Sequence, residues 1–159
     1  MEWIKFEDIT SLDSLEAGKY TDLLVATELM GYEWCGSPTH NKYLCGPLEA
    51  TLYKDNHRQL EPPENWYHCK YFPNFSTDYT LAFSVIARLR NFGFYVKLNQ
   101  YDPSNSNNWR CEFKFTEAAE IDGEYFTAAT APLAICKAAL MIASWDPPIA
   151  IEGLKRSGI

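Results

Sequence analysis

The hydrophobic positions of this chain fall into three helical stripes and one run of alternating strands. Between Leu12 and Met30, Tyr20, Leu23, Leu24, Thr27 and Met30 recur at the i, i+3, i+4 spacing of a single helix face. Gly18 weakens the start of that pattern, so the firm part of a first helix begins near Ala17, and Gly31 stops it. A second stripe, Ala82, Val85, Ile86 and Leu89, follows the capping run Ser76-Thr77-Asp78 and predicts a helix to about Arg90. Arg88 and Arg90 fall in its last turn, where the helix dipole favours cations. Phe94 to Asn99 and Trp109 to Phe115 alternate as strands do, the second with Cys111, Phe113 and Phe115 on one face and Arg110, Glu112 and Lys114 on the other. The turn-rich run from Asp102 to Asn108 joins them, and Asp122-Gly123 leads into a third strand, Tyr125 to Ala129.

That strand hands over directly to a third helix. Thr130 is placed as its N-cap, and Pro132 suits a first turn, where the missing N–H costs nothing. From Leu133 to Ala143 the one strongly polar side chain is Lys137. A helix apolar nearly all round must be covered on more than one side. A sheet supplies one cover; a second subunit is the expected other, which makes the chain a homo-oligomer assembled through its third helix. Asp146-Pro147-Pro148 ends the helix and opens a short tail, 146–159.

The order helix, loop, helix, three-stranded meander, helix predicts a single α+β domain over 1–159, with its core in 12–145. Three amphipathic helices exceed what one face of so small a sheet holds, so the expected arrangement is a three-layer α/β/α sandwich around a small antiparallel sheet. The region 32–75 resists a regular reading, because Gly36, Ser37-Pro38, Gly46-Pro47, Pro62-Pro63 and Pro73 interrupt it. Leu48 to Lys54 suggests one short strand; the rest reads as a long loop carrying Trp34, Tyr43, Trp66, Tyr67, Tyr71 and Phe72. Loops of this length are usually functional or disordered, and the aromatic content argues against disorder.

Composition narrows the function. Hydrophobic residues make up 47% and aromatics 15% of the 159 residues, which excludes a disordered chain. A net charge of −7, with no dense basic run beyond Lys155-Arg156, argues against a non-specific grip on nucleic acid, so no nucleic-acid partner is expected. The start of the chain lacks a basic and apolar leader, and no stretch approaches the roughly 20 apolar residues of a membrane span, so a cytoplasmic location with no membrane partner is expected. The five cysteines, Cys35, Cys45, Cys69, Cys111 and Cys136, then read as free thiols.

Candidate chemistry is sparse. Helix N-termini at Ser76-Thr77 and at Thr130 present free N–H groups to anions, and Trp66, Tyr71 and Trp109 offer rings for a base to stack on. Together these six make a candidate site for a phosphate-bearing ligand; the plainer alternative is that Ser76 and Thr130 only cap their own helices. Asp78 already occupies the favourable field of the second helix. Cys35, His40, Cys45, His57, His68 and Cys69 share the long loop, but the close ligand pairs of structural zinc sites are missing, so no metal is expected. Cys69 with His40 or His57 would need a thiolate beside a base, and no nucleophile elbow, P-loop or dinucleotide fingerprint is present. Glu61 with Glu64 and Glu117 with Glu120 lie in polar surroundings and read as solvated surface. No catalytic residue and no cofactor is therefore assigned. The loop aromatics either form a binding surface or lid the core.

Three ordered motifs resemble one known family. The run Ala17-Gly18, then Asp22-Leu23-Leu24-Val25-Ala26, then Met30-Gly31-Tyr32 resembles the opening helix of the phage ABA sandwich domain family. Phe75-Ser76-Thr77-Asp78 resembles its capped second helix, and Thr130 to Leu140 its closing helix. The resemblance implies an α/β/α sandwich encoded in phage or prophage genomes and acting in the host cytoplasm, and it brings no established chemistry. The resulting expectation is a non-catalytic binding protein that holds a small, nucleotide-derived ligand or a host protein, with countering host defence as the purpose such binding would serve. A small hydrolase with its active site in 32–75 and a structural or assembly module are the alternatives.

Overall fold

The computed structural model describes residues 12–35, 43–46, 58–59, 66, 72–115 and 125–144. Helix α1 spans Lys19–Glu28, after a 3-10 turn at Leu12–Ser14. Its start is later than the apolar spacing predicts, because Gly18 is the N-cap, at φ 150°, and not a member of the helix. Gly31, at φ 74°, stops the chain beyond α1 as expected, and the Tyr32 N–H donates back to the Ala26 carbonyl at 3.0 Å.

Helix α2 spans Tyr79–Asn91 and buries the expected stripe of Ala82, Val85, Ile86 and Leu89. Asp78 is its cap, its Oδ1 accepting the Leu81 N–H at 2.9 Å. Arg88 packs over the Phe92 ring at its own helix end and also reaches a second helix. It is buried, and its Nε donates to the Leu29 carbonyl at 2.6 Å, closing the C-terminus of α1 from a neighbouring helix.

Helix α3 spans Ala131–Ser144, and every residue from Ala134 to Ala143 is buried within one chain. The second cover that its composition demands is internal: α3 packs on the main sheet and also against α1 and α2. Among the described residues this internal cover accounts for the apolar run of α3 without a second copy. Its one charged residue, Lys137, is buried too, with Nζ donating to the carbonyls of Asp13 at 2.8 Å and Thr127 at 3.2 Å. The ammonium thereby ties the 3-10 turn and the strand leading into the helix to α3.

The described strands form two small antiparallel sheets. Strands β1 (Glu33–Cys35), β2 (Tyr43–Cys45) and β3 (Arg58–Gln59) pair in the order β2-β1-β3. They lie inside the region expected to be loop and correct that expectation; strands of two or three residues are too short to show alternation. The suggested strand Leu48 to Lys54 lies outside the described residues. Strands β4 (Phe94–Gln100), β5 (Trp109–Phe115) and β6 (Tyr125–Ala128) form the predicted meander, β4-β5-β6.

The α+β class holds, with three helices and two small antiparallel sheets among the described residues. One face of the meander, with Phe94, Cys111, Phe113, Phe126 and Ala128, is buried in the main core with α3. The other face carries Tyr95 and Tyr125, exposed by 64% and 52%, so no described helix covers it. On the far side, Leu23 of α1 packs with Trp34 and Trp66 in a separate cluster beside the small sheet. Among the described residues, α3 and α2 thus pack on one face of the meander, α1 reaches toward the small sheet, and the other face of the meander stands open.

Candidate functional site

The residues singled out from the sequence lie in separate environments. Ser76 is fully buried and does not cap α2. Its Oγ accepts the N–H of Gly18 at 3.0 Å, supplying the cap that glycine lacks, and its own N–H donates to Asp22 Oδ1 at 2.7 Å. Two motifs distant in sequence therefore meet as a staple between the start of α1 and the approach to α2. Asp22 is almost fully buried there, and burial raises its pKa against the lowering effect of the Ser76 hydrogen bonds. Thr130 Oγ1 accepts the Leu133 N–H at 3.4 Å, a cap for α3. Thr77 is exposed, and Tyr71 lies outside the described residues.

Trp66 is 1% exposed and packed among its own neighbours, with ring centroids 6.3 Å from Tyr20 and 6.4 Å from Phe72. Trp34 meets Phe72 edge-on at 6.2 Å. These rings cover Leu23 as a lid, so Trp66 is not presented to a ligand. Trp109 is half-buried at the start of β5, on the edge of the main core and away from that lid. Ser76, Trp66, Trp109 and Thr130 thus stand in separate surroundings, with Tyr71 outside the described residues.

A different set is assembled on the open face of the meander. Strand register places Tyr95 opposite Lys114, Lys97 opposite Glu112, and Asn99 opposite Arg110, while Tyr125 on β6 stands opposite Glu112. Tyr101, 58% exposed, continues the face beyond β4, its N–H donating to the Asn108 carbonyl at 2.7 Å. Arg110 lies between two rings: its guanidinium sits 3.4 Å from the Tyr125 centroid and 5.4 Å from that of Tyr101. Its Nη1 also donates to the Tyr101 hydroxyl at 3.1 Å, which fixes the plane of the guanidinium. Lys114 pairs with Glu112 at 3.5 Å, and Glu112 is itself largely buried. Among the described residues the face therefore holds three cations against one carboxylate, on a chain whose net charge is −7.

The family model of the phage ABA sandwich domain matches residues 23–140. The chain belongs to that family. No curated protein and no solved structure matches it. In this phage ABA sandwich domain the matched span runs from α1 into α3; it takes in Ser76 and the open face of the meander, while the partners of Ser76, Gly18 and Asp22, lie just before it.

The metal and thiol candidates divide in the same way. Cys35 and Cys45 are fully buried and share a small cluster across the β1–β2 hairpin. His40, His57, His68, Cys69 and the glutamates Glu61, Glu64, Glu117 and Glu120 lie outside the described residues. Among the described residues no group of three or more His, Cys, Asp or Glu side chains is placed to hold a metal ion. Nor is any described helix long and apolar enough to cross a membrane.

Two core thiols are chemically muted. Burial pushes Cys111 up to about 12, the nearby Glu112 charge adding to it, and burial together with the Asp22 charge raises Cys136 further. Alkylation of the native protein at mildly alkaline pH is expected to leave both unlabelled, with full labelling in denaturant, as read by peptide mass mapping. Labelling of either thiol at native rates would mean that the α3–sheet core opens readily.

Proposed function

We propose that this phage-family domain is a non-catalytic binding protein whose working surface is the open face of the β4-β5-β6 meander. The observation that carries the reading is the Arg110 guanidinium stacked on Tyr125 and bonded to Tyr101, in a field of exposed tyrosines and lysines. Exposed rings on a rigid sheet supply contact area at little entropic cost, and flanking cations supply charge. Such a face suits an anionic partner that presents planar rings, which is nucleotide chemistry. In this reading the protein acts by occupancy. The helix N-termini at Ser76 and Thr130 play no part, since their groups serve the fold.

Native mass spectrometry of the protein taken from a phage-host type cytoplasm tests this. The wild type is expected to retain a bound mass that is lost when Tyr95→Ala and Tyr125→Ala are combined. A double variant that retains the same mass, or a wild type that carries none, contradicts the reading.

A further inference from the structure

The stacking positions on the open face are spread out, and the spread selects among ligands of one chemistry. The selection rests on the reading of that face as the working surface. Tyr95 and Tyr101 point to the same side six residues apart, about 20 Å at the rise of an extended strand. Tyr125 stands two strands away from the β4 line, beyond Glu112. Tyr101 and Tyr125 share the Arg110 guanidinium, 5.4 and 3.4 Å from their centroids, so one nucleotide at that cluster leaves Tyr95 uncovered. A run of nucleotides reaches all three, and Lys97, Arg110 and Lys114 lie between the rings, where a backbone joining stacked bases would pass. We infer that the open face of the meander binds a short run of single-stranded nucleic acid, its bases stacked on Tyr95, Tyr101 and Tyr125 and its phosphates held by Lys97, Arg110 and Lys114.

Other macromolecules fit the face less well. The core of a protein interface is enriched in aliphatic and aromatic side chains and depleted in lysine. Here the described residues between the tyrosines are Lys97, Asn99, Arg110, Glu112 and Lys114, with no aliphatic side chain among them. A duplex keeps its base faces stacked on one another, so exposed rings on a sheet gain little from it, whereas unstacked bases are open to them. Stacking and phosphate contacts do not distinguish ribose from deoxyribose, so either sugar is accepted.

The overall charge of −7 sets the limits of this binding. Long-range attraction is absent, so affinity comes from stacking with a few local phosphate contacts. With three cations in contact, the affinity should fall with salt at a log–log slope of about −2. Glu112 opposes a phosphate at the centre of the face, which makes it a directional probe.

Fluorescence anisotropy with a labelled single-stranded dodecamer of mixed sequence, DNA and RNA in turn, reads the outcome. The wild type is expected to bind both, with mononucleotides competing only at far higher concentration. Tyr95→Ala and Tyr125→Ala should each weaken binding by about 5- to 100-fold, the range measured for loss of one base–aromatic stack. Glu112→Gln should tighten it. Tyr79→Ala, which removes an exposed ring from α2, should change nothing. Circular dichroism of Tyr95→Ala is expected to match the wild type, since that side chain stands in solvent. If mononucleotides compete as well as the dodecamer while the tyrosine variants still fail to bind, the single-strand inference falls and the face remains the working surface. If the tyrosine variants bind the dodecamer as the wild type does, or nothing binds, the inference is wrong, and the native-mass experiment decides the fate of the face.

Discussion

Leu140→Glu is expected to abolish the folded state, not to dissociate an oligomer. Leu140 is fully buried in the middle of α3, which the main sheet, α1 and α2 enclose within one chain. A carboxylate there has no partner and no route to water, and burying an unpaired charge costs more than the whole stability of a small domain, about 5–15 kcal/mol. The milder Leu140→Ala should fold but lose about 2–5 kcal/mol, the transfer and cavity cost of a buried leucine. Urea unfolding followed by circular dichroism measures both. Midpoints independent of protein concentration would agree with a helix covered by its own chain. A folded Leu140→Glu variant with altered mass in solution would restore α3 as a subunit interface.

The Asp22–Ser76 staple carries the second large effect, and its sign depends on pH. Asp22 Oδ1 accepts the buried Ser76 N–H, so Asp22→Ala strands that donor and should cost about 1–3 kcal/mol. Asp22→Asn keeps an acceptor of the same shape. Burial raises the folded-state pKa of Asp22 above its ordinary 3.8, so the native protein holds this proton more tightly than the unfolded chain. The stability from that group is fully present below 3.8 and is lost as pH rises through the raised folded value. The asparagine variant lacks this loss. Its stability relative to wild type should therefore increase as pH rises through that window, leaving it equal or more stable at neutral pH. Urea midpoints of both proteins across pH test the sign. A wild type that gains on the asparagine variant with rising pH would mean that the Ser76 hydrogen bonds outweigh burial.

Elements with long periods are legible in the sequence. The stripe Ala82, Val85, Ile86 and Leu89 is the buried face of α2, and the alternation from Trp109 to Phe115 is β5 with Arg110, Glu112 and Lys114 on its open side. What the periodicity does not carry is the partner of each element. The apolar α3 implies a second cover, but nothing in its own residues says whether that cover is internal. Ser76 precedes a helix and reads as its cap; it caps α1 instead, because the neighbouring glycine cap has no side chain to offer. Trp66 reads as available because its segment is broken by prolines, yet it packs into a lid with Tyr20 and Phe72.

The open face is half-visible for the same reason. Lys97, Arg110 and Lys114 are too far apart along the chain to read as a basic cluster, and net charge hides them. Only the register of β4 on β5, which sets Tyr95 against Lys114 and Lys97 against Glu112, gathers them beside Tyr125. An alternating strand names its two faces; it does not say which face meets solvent with its rings uncovered.

A proton–nitrogen correlation NMR titration of the labelled protein with the single-stranded dodecamer asks most directly whether the ligand meets the sheet face or the helix N-termini. If the open face is the working surface, shifts concentrate at Tyr95, Lys97, Tyr101, Arg110, Lys114 and Tyr125, with Ser76, Leu133 and the α3 core unmoved. Shifts centred on Ser76 and on the first turn of α3, with the meander silent, would contradict that assignment.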